Sequence, residues 1–193
     1  TLELLKEKHV PATFFVLGRS VRSNEEIVKT AALYGNEIGW HSVTHAELPR
    51  QSDVRIKNEI ATSTTTLRKV IGTPALLFRP PYGAHNRRVD AVIAKYKLVN
   101  IMWSVDTRDW DPARGVGATR TANVVSSSVN EVGPGGIILL HDIHDTTRAA
   151  VGQIVDGLKE KGYTLVTVGE LPGWQKYRWG SSYCAAVGQQ DCW

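Results

Sequence analysis

Apolar residues recur along this chain in two alternating patterns. In the first, apolar positions are spaced i, i+3, i+4 and i+7, as on the buried face of a helix, and this spacing is clear at 89–96 and 151–158. Similar patterns predict helices near 1–8, 23–34, 52–71 and 119–132. Ser23 and Glu26 have capping-box spacing, and Gly35 and Gly72 are suited to end the helices at 23–34 and 52–71.

Short apolar runs lie between the predicted helices, at 12–18, 37–40, 76–79, 98–105, 137–141 and 163–168. Runs of this length, bounded by turn residues, are typical of strands that are buried on both faces of a parallel sheet. Strands separated by helices predict an α/β fold with right-handed crossovers, in which the sheet is either open or closed into a barrel.

Polar, chemically active residues follow four of the predicted strands. These segments are HSVTH at 41–45, RPPYG at 79–83, DTRDW at 106–110 and HDIH at 141–144. Because ligands bind beyond the carboxyl ends of parallel strands, the four segments are candidates for one site. His9 and His85 lie elsewhere and are interpreted as ordinary surface residues.

His41 and His45 have the spacing of two metal ligands. Four residues apart on one helical turn, they would point both imidazoles the same way; a solvated or capping pair is the alternative interpretation. Ser42 stands where a zincin has its Glu, so the pair includes no general base. A catalytic zinc usually takes three protein ligands. Internal carboxylates that could supply the third are those of Asp106, Asp109 and Asp142.

The other strand-end residues allow both functional and structural interpretations. Arg79 is suited to orient a carboxylate or to form a structural ion pair, and Trp110 beside Asp109 forms either an aromatic wall or an ordinary surface turn. His141 follows the most apolar predicted strand, where a nearby carboxylate would set its tautomer for acid–base chemistry. We interpret His144 as structural.

Composition narrows the protein class. The chain has 193 residues, of which 42% are hydrophobic and 22% charged, as in an ordinary globular domain. No apolar run approaches the length of about 18 residues that a membrane helix requires. The net charge is +4, and the Lys and Arg residues are scattered along the predicted helices and do not form a block. This distribution argues against nucleic-acid binding.

The only two cysteines, Cys184 and Cys192, lie in a Trp/Tyr/Gly-rich tail. We expect a disulfide between them, which would suit an oxidising compartment, with two free thiols as the alternative. No leader precedes the first predicted helix, so a secretory signal would already have been removed. The chain opens within a helix pattern and lacks an initiating Met, so we expect it to be part of something longer.

The four strand-end segments resemble, in order, motifs two to five of the polysaccharide deacetylases. This family is also called carbohydrate esterase family 4 or the NodB-homology domain. The segments are HSVTH at 41–45, RPPY at 79–82, the 106–110 segment and LLHD at 139–142. The resemblance covers 1–172, and we expect 173–193 to be a separate tail. It implies a distorted barrel of about seven parallel strands, of which this chain would lack the first.

The resemblance implies a metal-dependent hydrolase that removes acetyl groups from N-acetylglucosamine polymers, such as peptidoglycan or chitin, or from acetylated xylan. It implies zinc, cobalt or nickel held by His41 and His45, with His141 as the general acid. The remaining roles follow the family: Asp109 orients His141, Arg79 orients the base, the Tyr82 amide stabilises the oxyanion, and Trp110 and Leu139 line the acetyl pocket. Such an enzyme would be secreted or associated with the cell wall.

The sequence departs from the family at its first motif. A Thr-Phe-Asp-Asp-Gly-Pro segment, which supplies the base and the third metal ligand, would precede Thr1 and is not in this sequence. A second polypeptide from the same precursor could supply it, the sequence could be incomplete, or the chain could be a non-catalytic glycan-binding remnant. A nucleotide site at 115–120 is a weaker alternative, because the GVGATR segment lacks the last glycine of a dinucleotide loop.

Overall fold

The computed structural model describes residues 1–173, 182 and 183, without the side chains of residues 63 and 64. The contacts divide the chain into two compact units. We call them the five-stranded unit, formed by Thr13–Met102 with the described residues of 172–183, and the two-stranded unit, formed by Thr1–Ala12 and Trp103–Leu171. The predicted Cys184–Cys192 disulfide lies outside the described residues.

Helices and strands alternate along most of the described chain, except that α3 follows α2 and β5 follows β4 directly. The α-helices are α1 (Leu2–Glu7), α2 (Gly18–Val21), α3 (Glu25–Leu33), α4 (Asp53–Ile71), α5 (Arg87–Lys95), α6 (Gly117–Glu131) and α7 (Asp145–Glu160). The strands are β1 (Thr13–Val16), β2 (Glu37–Trp40), β3 (Leu77–Phe78), β4 (Val99–Ile101), β5 (Val105–Asp106), β6 (Ile138–Leu139) and β7 (Ser182–Tyr183). Within the described residues, no helix is long and apolar enough to cross a bilayer.

The five-stranded unit is built on a parallel sheet with the order β1-β2-β3-β4-β7. Trp40 and Phe78 are register partners on adjacent strands, and both side chains are fully buried. The pairing of β7 with β4 shows that the tail contributes a strand to this sheet. Parallel pairing and alternating helices confirm the predicted α/β class.

Local signals predicted α4 well and the start of α3 poorly. The Ser52 side chain accepts a hydrogen bond from the Arg55 amide at the start of α4, and Gly72 ends the helix in the left-handed conformation, with φ of 76°. The predicted capping box of Ser23 and Glu26 is wrong, because α3 begins one residue later, with Asn24 as its N-cap.

In the two-stranded unit, β5 and β6 pair in parallel, and α6 packs against α7. Its core cluster includes Val124 on α6 together with Ala150, Ile154 and Leu158, which are spaced along one face of α7. The helical pattern predicted at 151–158 is therefore confirmed, since its apolar positions form the buried face of α7.

Two strand predictions need correction. The run at 98–105 is two strands, because the Met102 amide donates to Tyr183 whereas the Ser104 amide donates to Ile137, on a different sheet. The run at 163–168 is not a strand. The Tyr163 amide donates to Leu158 at the end of α7, and the Thr167 amide donates to the Glu170 carboxylate in a capping box. These caps engage the backbone amides at both ends of the run.

Candidate functional site

The two candidate metal ligands lie in residues 41–45, which we call the histidine loop. It follows β2 directly, and the His41 and His45 ring centroids lie 4.9 Å apart. The prediction that the two residues share a helical turn is wrong, since 41–45 is a loop. Ser42 and His45 have φ of 66° and 67°, and this left-handed backbone brings the rings together instead.

Hydrogen bonds hold the histidine loop against its neighbours and close it internally. The His41 amide donates to the Val16 carbonyl at 3.0 Å and the Gly18 amide donates to the Ser42 carbonyl at 2.9 Å. Within the loop, the His45 amide donates to the Ser42 hydroxyl at 3.1 Å. A Cβ on Gly18 would lie 2.7 Å from the Trp40 ring, so glycine permits this close approach. The loop is therefore built into the unit, with Ser42 fully buried.

The His41 ring is oriented by a backbone carbonyl. Its Nδ1 lies 2.6 Å from the Arg79 carbonyl oxygen. Because a carbonyl only accepts, Nδ1 carries the proton in the neutral ring and the lone pair is on Nε2. An imidazole whose other nitrogen donates to a carbonyl is the usual arrangement of a histidine metal ligand.

The Arg79 guanidinium is buried, although the sequence predicts that it emerges at the strand end. Its Nε donates to the Ile101 carbonyl and one terminal nitrogen donates to the Met102 carbonyl, at 3.0 and 3.1 Å. The guanidinium carbon lies 4.1 Å from the centre of the Phe15 ring. Burial lowers the pKa of Arg79 to about 9, so the group stays positively charged at neutral pH.

The Tyr82 ring contacts the histidine loop. The Tyr82 and His45 ring centroids lie 4.6 Å apart in an edge-to-face arrangement, and the tyrosine is 68% exposed. Its φ of 62° is unusual for a tyrosine and occurs just after Pro80 and Pro81. Backbone held in such a region is often found at functional sites. The structure thus brings Tyr82, Arg79 and both histidines together in one unit.

Glu59 is a residue of this region that the sequence interpretation missed. Its carboxylate accepts hydrogen bonds from the amides of Val43 and Thr44 at 2.9 and 2.8 Å. Its position on α4 could have identified it in the sequence, because Glu59 lies beside Ile56 and Ile60 on a helix face that should be apolar. A buried carboxylate on such a face indicates a specific partner.

The donor chemistry of the histidine loop fits a divalent metal. Two imidazoles meet, and the tautomer of His41 places a nitrogen lone pair on Nε2. In the described part of the chain, no group of three or more His, Cys, Asp and Glu side chains could hold a metal ion. Of the proposed internal third ligands, Asp106 accepts from the Arg108 amide and Asp109 is engaged by His141.

The second cluster lies in the two-stranded unit and joins His141, Asp109 and Thr147. The His141 Nδ1 lies 2.7 Å from one Asp109 oxygen, and the His141 amide and the Thr147 hydroxyl donate to the other at 2.6 and 2.7 Å. Burial of Asp109 opposes its ionisation, but these hydrogen bonds outweigh it and hold the pKa of Asp109 below its ordinary value. Asp109 is therefore a fully buried carboxylate anion.

The remaining candidates surround this cluster in different environments. Leu139 is buried at the end of β6, and Trp110, which follows Asp109, is 50% exposed. His144 is the N-cap residue of α7, and its ring lies 6.5 Å from that of His141. Asp142 is exposed, and its backbone carbonyl accepts from Arg148.

Comparisons with known proteins agree on one family. A family model described as polysaccharide deacetylase matches residues 1–101. Peptidoglycan-N-acetylglucosamine deacetylase PgdA of Listeria monocytogenes is 39% identical over 183 residues, which cover 94% of this chain and 37% of PgdA. The match therefore spans just over a third of that relative.

The solved structures that match include a deacetylase and a pseudoenzyme. A deacetylase solved with its substrate matches with a TM-score of 0.85 at 34% identity, covering 94% of this chain and 87% of that one. A carbohydrate esterase family 4 pseudoenzyme from Bacillus anthracis matches with a TM-score of 0.80 at 28% identity, covering 94% and 63%. The chain belongs to the polysaccharide deacetylase family, carbohydrate esterase family 4, which is defined by the NodB-homology domain.

Proposed function

We propose that this chain forms the catalytic part of a metal-dependent hydrolase that removes acetyl groups from a polysaccharide. The observation that carries the proposal is the pair of imidazoles in the histidine loop, whose ring centroids lie 4.9 Å apart, with the His41 ring oriented through the Arg79 carbonyl. The proposed substrates are N-acetylglucosamine polymers, peptidoglycan or chitin, with acetylated xylan as the ester alternative. The name of the PgdA relative supports peptidoglycan first.

His41 and His45 would hold the divalent metal, for which zinc is proposed and cobalt or nickel would also suit the ligands. Such an ion supplies Lewis acidity toward a carbonyl oxygen and toward water. The chain's contribution is to present both imidazoles together. The hydrogen bond from His41 Nδ1 to the Arg79 carbonyl keeps the lone pair on Nε2, and the anchored backbone of the loop limits ring movement.

His141 is proposed as the general acid. The hydrogen bond from its Nδ1 to the Asp109 carboxylate orients the ring, and Nε2 is the nitrogen that would carry the transferred proton. That proton passes to the departing nitrogen as the bond between the acetyl carbon and nitrogen breaks, which leaves acetate and a free amine. Asp109 touches only the imidazole in this scheme and is a positioning residue.

Three residues are proposed to contact the acetyl group, and one to orient the base. The Tyr82 amide would donate to the oxyanion that forms as water adds to the carbonyl, while Leu139 and Trp110 would enclose the methyl group. Arg79, still cationic at neutral pH, would orient the aspartate base that the family assigns to its first motif.

The wider context is also proposed from the resemblance. The strands of the family would close into a distorted barrel of about seven strands. The protein would be secreted or associated with the cell wall, where its acetylated substrate occurs.

Acetate release tests the proposal directly. The protein, with its first motif present and supplemented with zinc, is incubated with N-acetylated chitooligosaccharides or peptidoglycan, and acetate and free amine are quantified. We expect both products in equal amounts, with loss after chelation and after His141→Ala. No acetate with zinc, cobalt or nickel would contradict the catalytic proposal for this chain.

A non-catalytic glycan-binding protein is the second candidate, and the match to a pseudoenzyme of the same family favours considering it. Calorimetric titration with the same oligosaccharides separates the two functions. A binder would bind the oligosaccharide without releasing acetate, and the His141→Ala variant would bind as the parent chain does.

A further inference from the structure

Glu59 lies where a carboxylate is costly. It occupies the buried face of α4, where its residue is 2% exposed and its neighbours Ile56, Ile60 and Leu67 are fully buried. Burial of a charge is strongly unfavourable unless hydrogen bonds and opposite charge compensate for it. The partners of Glu59 therefore show what it is held in place to do.

Those partners belong mainly to the histidine loop. One carboxylate oxygen accepts from the Val43 amide at 2.9 Å and the Thr44 amide at 2.8 Å. The other accepts from the Thr44 hydroxyl at 2.7 Å and from the Arg55 guanidinium at 2.7 Å. Two consecutive backbone amides that converge on one carboxylate form an anion-binding nest, and here a side chain of the same protein fills it.

The nest lies between the two histidines. Val43 and Thr44 are flanked by Ser42 and His45, the two residues with left-handed backbone, whose φ values of 66° and 67° cost free energy outside glycine. In this conformation both amides point toward α4, and Glu59 is the acceptor they meet. His41 and His45 lie at the two ends of this backbone path, with their ring centroids 4.9 Å apart.

We propose that Glu59 is a positioning residue, whose bonds to the Val43 and Thr44 amides hold the histidine loop in the conformation that brings His41 and His45 together for a cation. The inference rests on the metal role proposed for those two histidines. Glu59 touches neither a substrate nor a reacting atom in this scheme. Its effect is therefore on ring placement and metal affinity.

The test compares Glu59→Met with Ile60→Val in the full chain. Met has nearly the length of Glu but presents no oxygen to the Val43 and Thr44 amides. Ile60→Val removes one methyl group from the adjacent position on the same buried helix face, so it lowers stability without altering a hydrogen bond to the loop. Glu59→Asp keeps the charge on a shorter side chain.

Two measurements are made on each variant. In metal-free protein, NMR reports the cross-peak between the His41 and His45 rings and the tautomer of His41. Titration with Co²⁺ alone, followed by its visible absorption, gives the affinity. We expect Glu59→Met to lose the cross-peak and to bind Co²⁺ at least about tenfold more weakly, Glu59→Asp to be intermediate, and Ile60→Val to keep both.

The outcomes separate this inference from the proposed function. A retained ring cross-peak in Glu59→Met overturns the positioning role. If Glu59→Met does not fold, Glu59→Asp decides, and Co²⁺ affinity equal to that of Ile60→Val overturns it. If the parent chain binds no Co²⁺ but Glu59→Met still loses the cross-peak, the metal function is contradicted and the positioning role stands.

Discussion

The histidine loop and the His141 cluster both orient an imidazole through Nδ1, but with different partners. In the five-stranded unit, His41 donates to a neutral backbone carbonyl at 2.6 Å. In the two-stranded unit, His141 donates to a buried carboxylate at 2.7 Å. A carbonyl fixes the tautomer without adding charge, which suits a neutral metal ligand, whereas a carboxylate stabilises the protonated ring, which suits a proton donor. The hydrogen-bond partner of Nδ1 thus directs the same type of side chain to two kinds of chemistry.

The two regions also differ in how the partner is held. The Arg79 carbonyl is fixed by its position directly after β3. Asp109 is held by hydrogen bonds from the His141 amide and from Thr147 as well as from the ring. The first arrangement resists side-chain substitution, and the second depends on individual side chains that mutation can remove.

Removal of His41 should have the largest effect. In His41→Ala one of two imidazole ligands is lost, so zinc affinity should fall by more than the 10- to 100-fold that is typical of changes outside the ligand shell. Competition with a chromogenic chelator measures it. His9→Ala is the control, because it removes an exposed histidine of the two-stranded unit that has no proposed role in the metal site. This variant should bind zinc as the parent does. Equal affinity in both variants would remove His41 from the metal site.

Asp109→Asn tests the other half of the comparison. An amide lacks the negative charge that the Asp109 carboxylate places beside the His141 ring, so turnover should fall by about 10²- to 10⁴-fold, the range for loss of general acid–base catalysis. Zinc affinity should be unchanged. Acetate release and metal content are measured on the same preparation. A turnover within a few-fold of the parent would show that the carboxylate partner is not needed for proton donation.

Thr147→Val should have a moderate effect. It removes one of three hydrogen bonds to Asp109, which should cost about 1–2 kcal/mol in the free energy of unfolding and lower turnover a few-fold. Urea denaturation and acetate release measure these. Thr121→Val is matched, because its hydroxyl donates to the Thr146 carbonyl in the same unit, so it should lower stability without lowering turnover. Similar loss of turnover in both variants would argue against a specific role for Asp109 orientation.

A change of pH should have the smallest effect. Folding stability should be unaffected near neutral pH and should fall measurably in acid. For both Glu59 and Asp109, burial raises the pKa but hydrogen bonds outweigh it, so each folded pKa lies below its ordinary value. Their stabilisation is complete above the ordinary carboxyl pKa of about 4 and is lost as pH falls through the lowered values.

Melting temperatures of the parent and Asp109→Asn across pH 7 to 3 check this sign. The gap between the two proteins should be constant above about pH 4 and narrow below it, because the protonated Asp resembles Asn. A gap that widens in acid would mean that the folded pKa of Asp109 is raised.

The sequence could predict the elements that carry strong local signals. The strand at 37–40 matches β2, and the helix at 52–71 with its Gly72 end matches α4. The strand-end rule also singled out His41, Arg79 and His141 before any geometry was known. These predictions depend on periodicity and on chain direction, both of which are local.

The errors came from long-range partners. The 98–105 run divides because Met102 and Ser104 donate to different strands, which no local pattern encodes. The histidine spacing suggested a helical turn, but the loop takes a left-handed path whose amides meet Glu59, 15 and 16 residues further along. Arg79 is buried because it donates to the carbonyls of Ile101 and Met102, which lie 22 and 23 residues further along the chain and so do not appear in any local pattern.

Anomalous diffraction at the zinc edge, from crystals of the full chain grown with zinc, tests the central claim most directly. The account predicts a single peak at about 2.0–2.1 Å from one imidazole nitrogen each of His41 and His45. An absent peak between these two rings, in crystals where zinc is bound elsewhere or not at all, would contradict it.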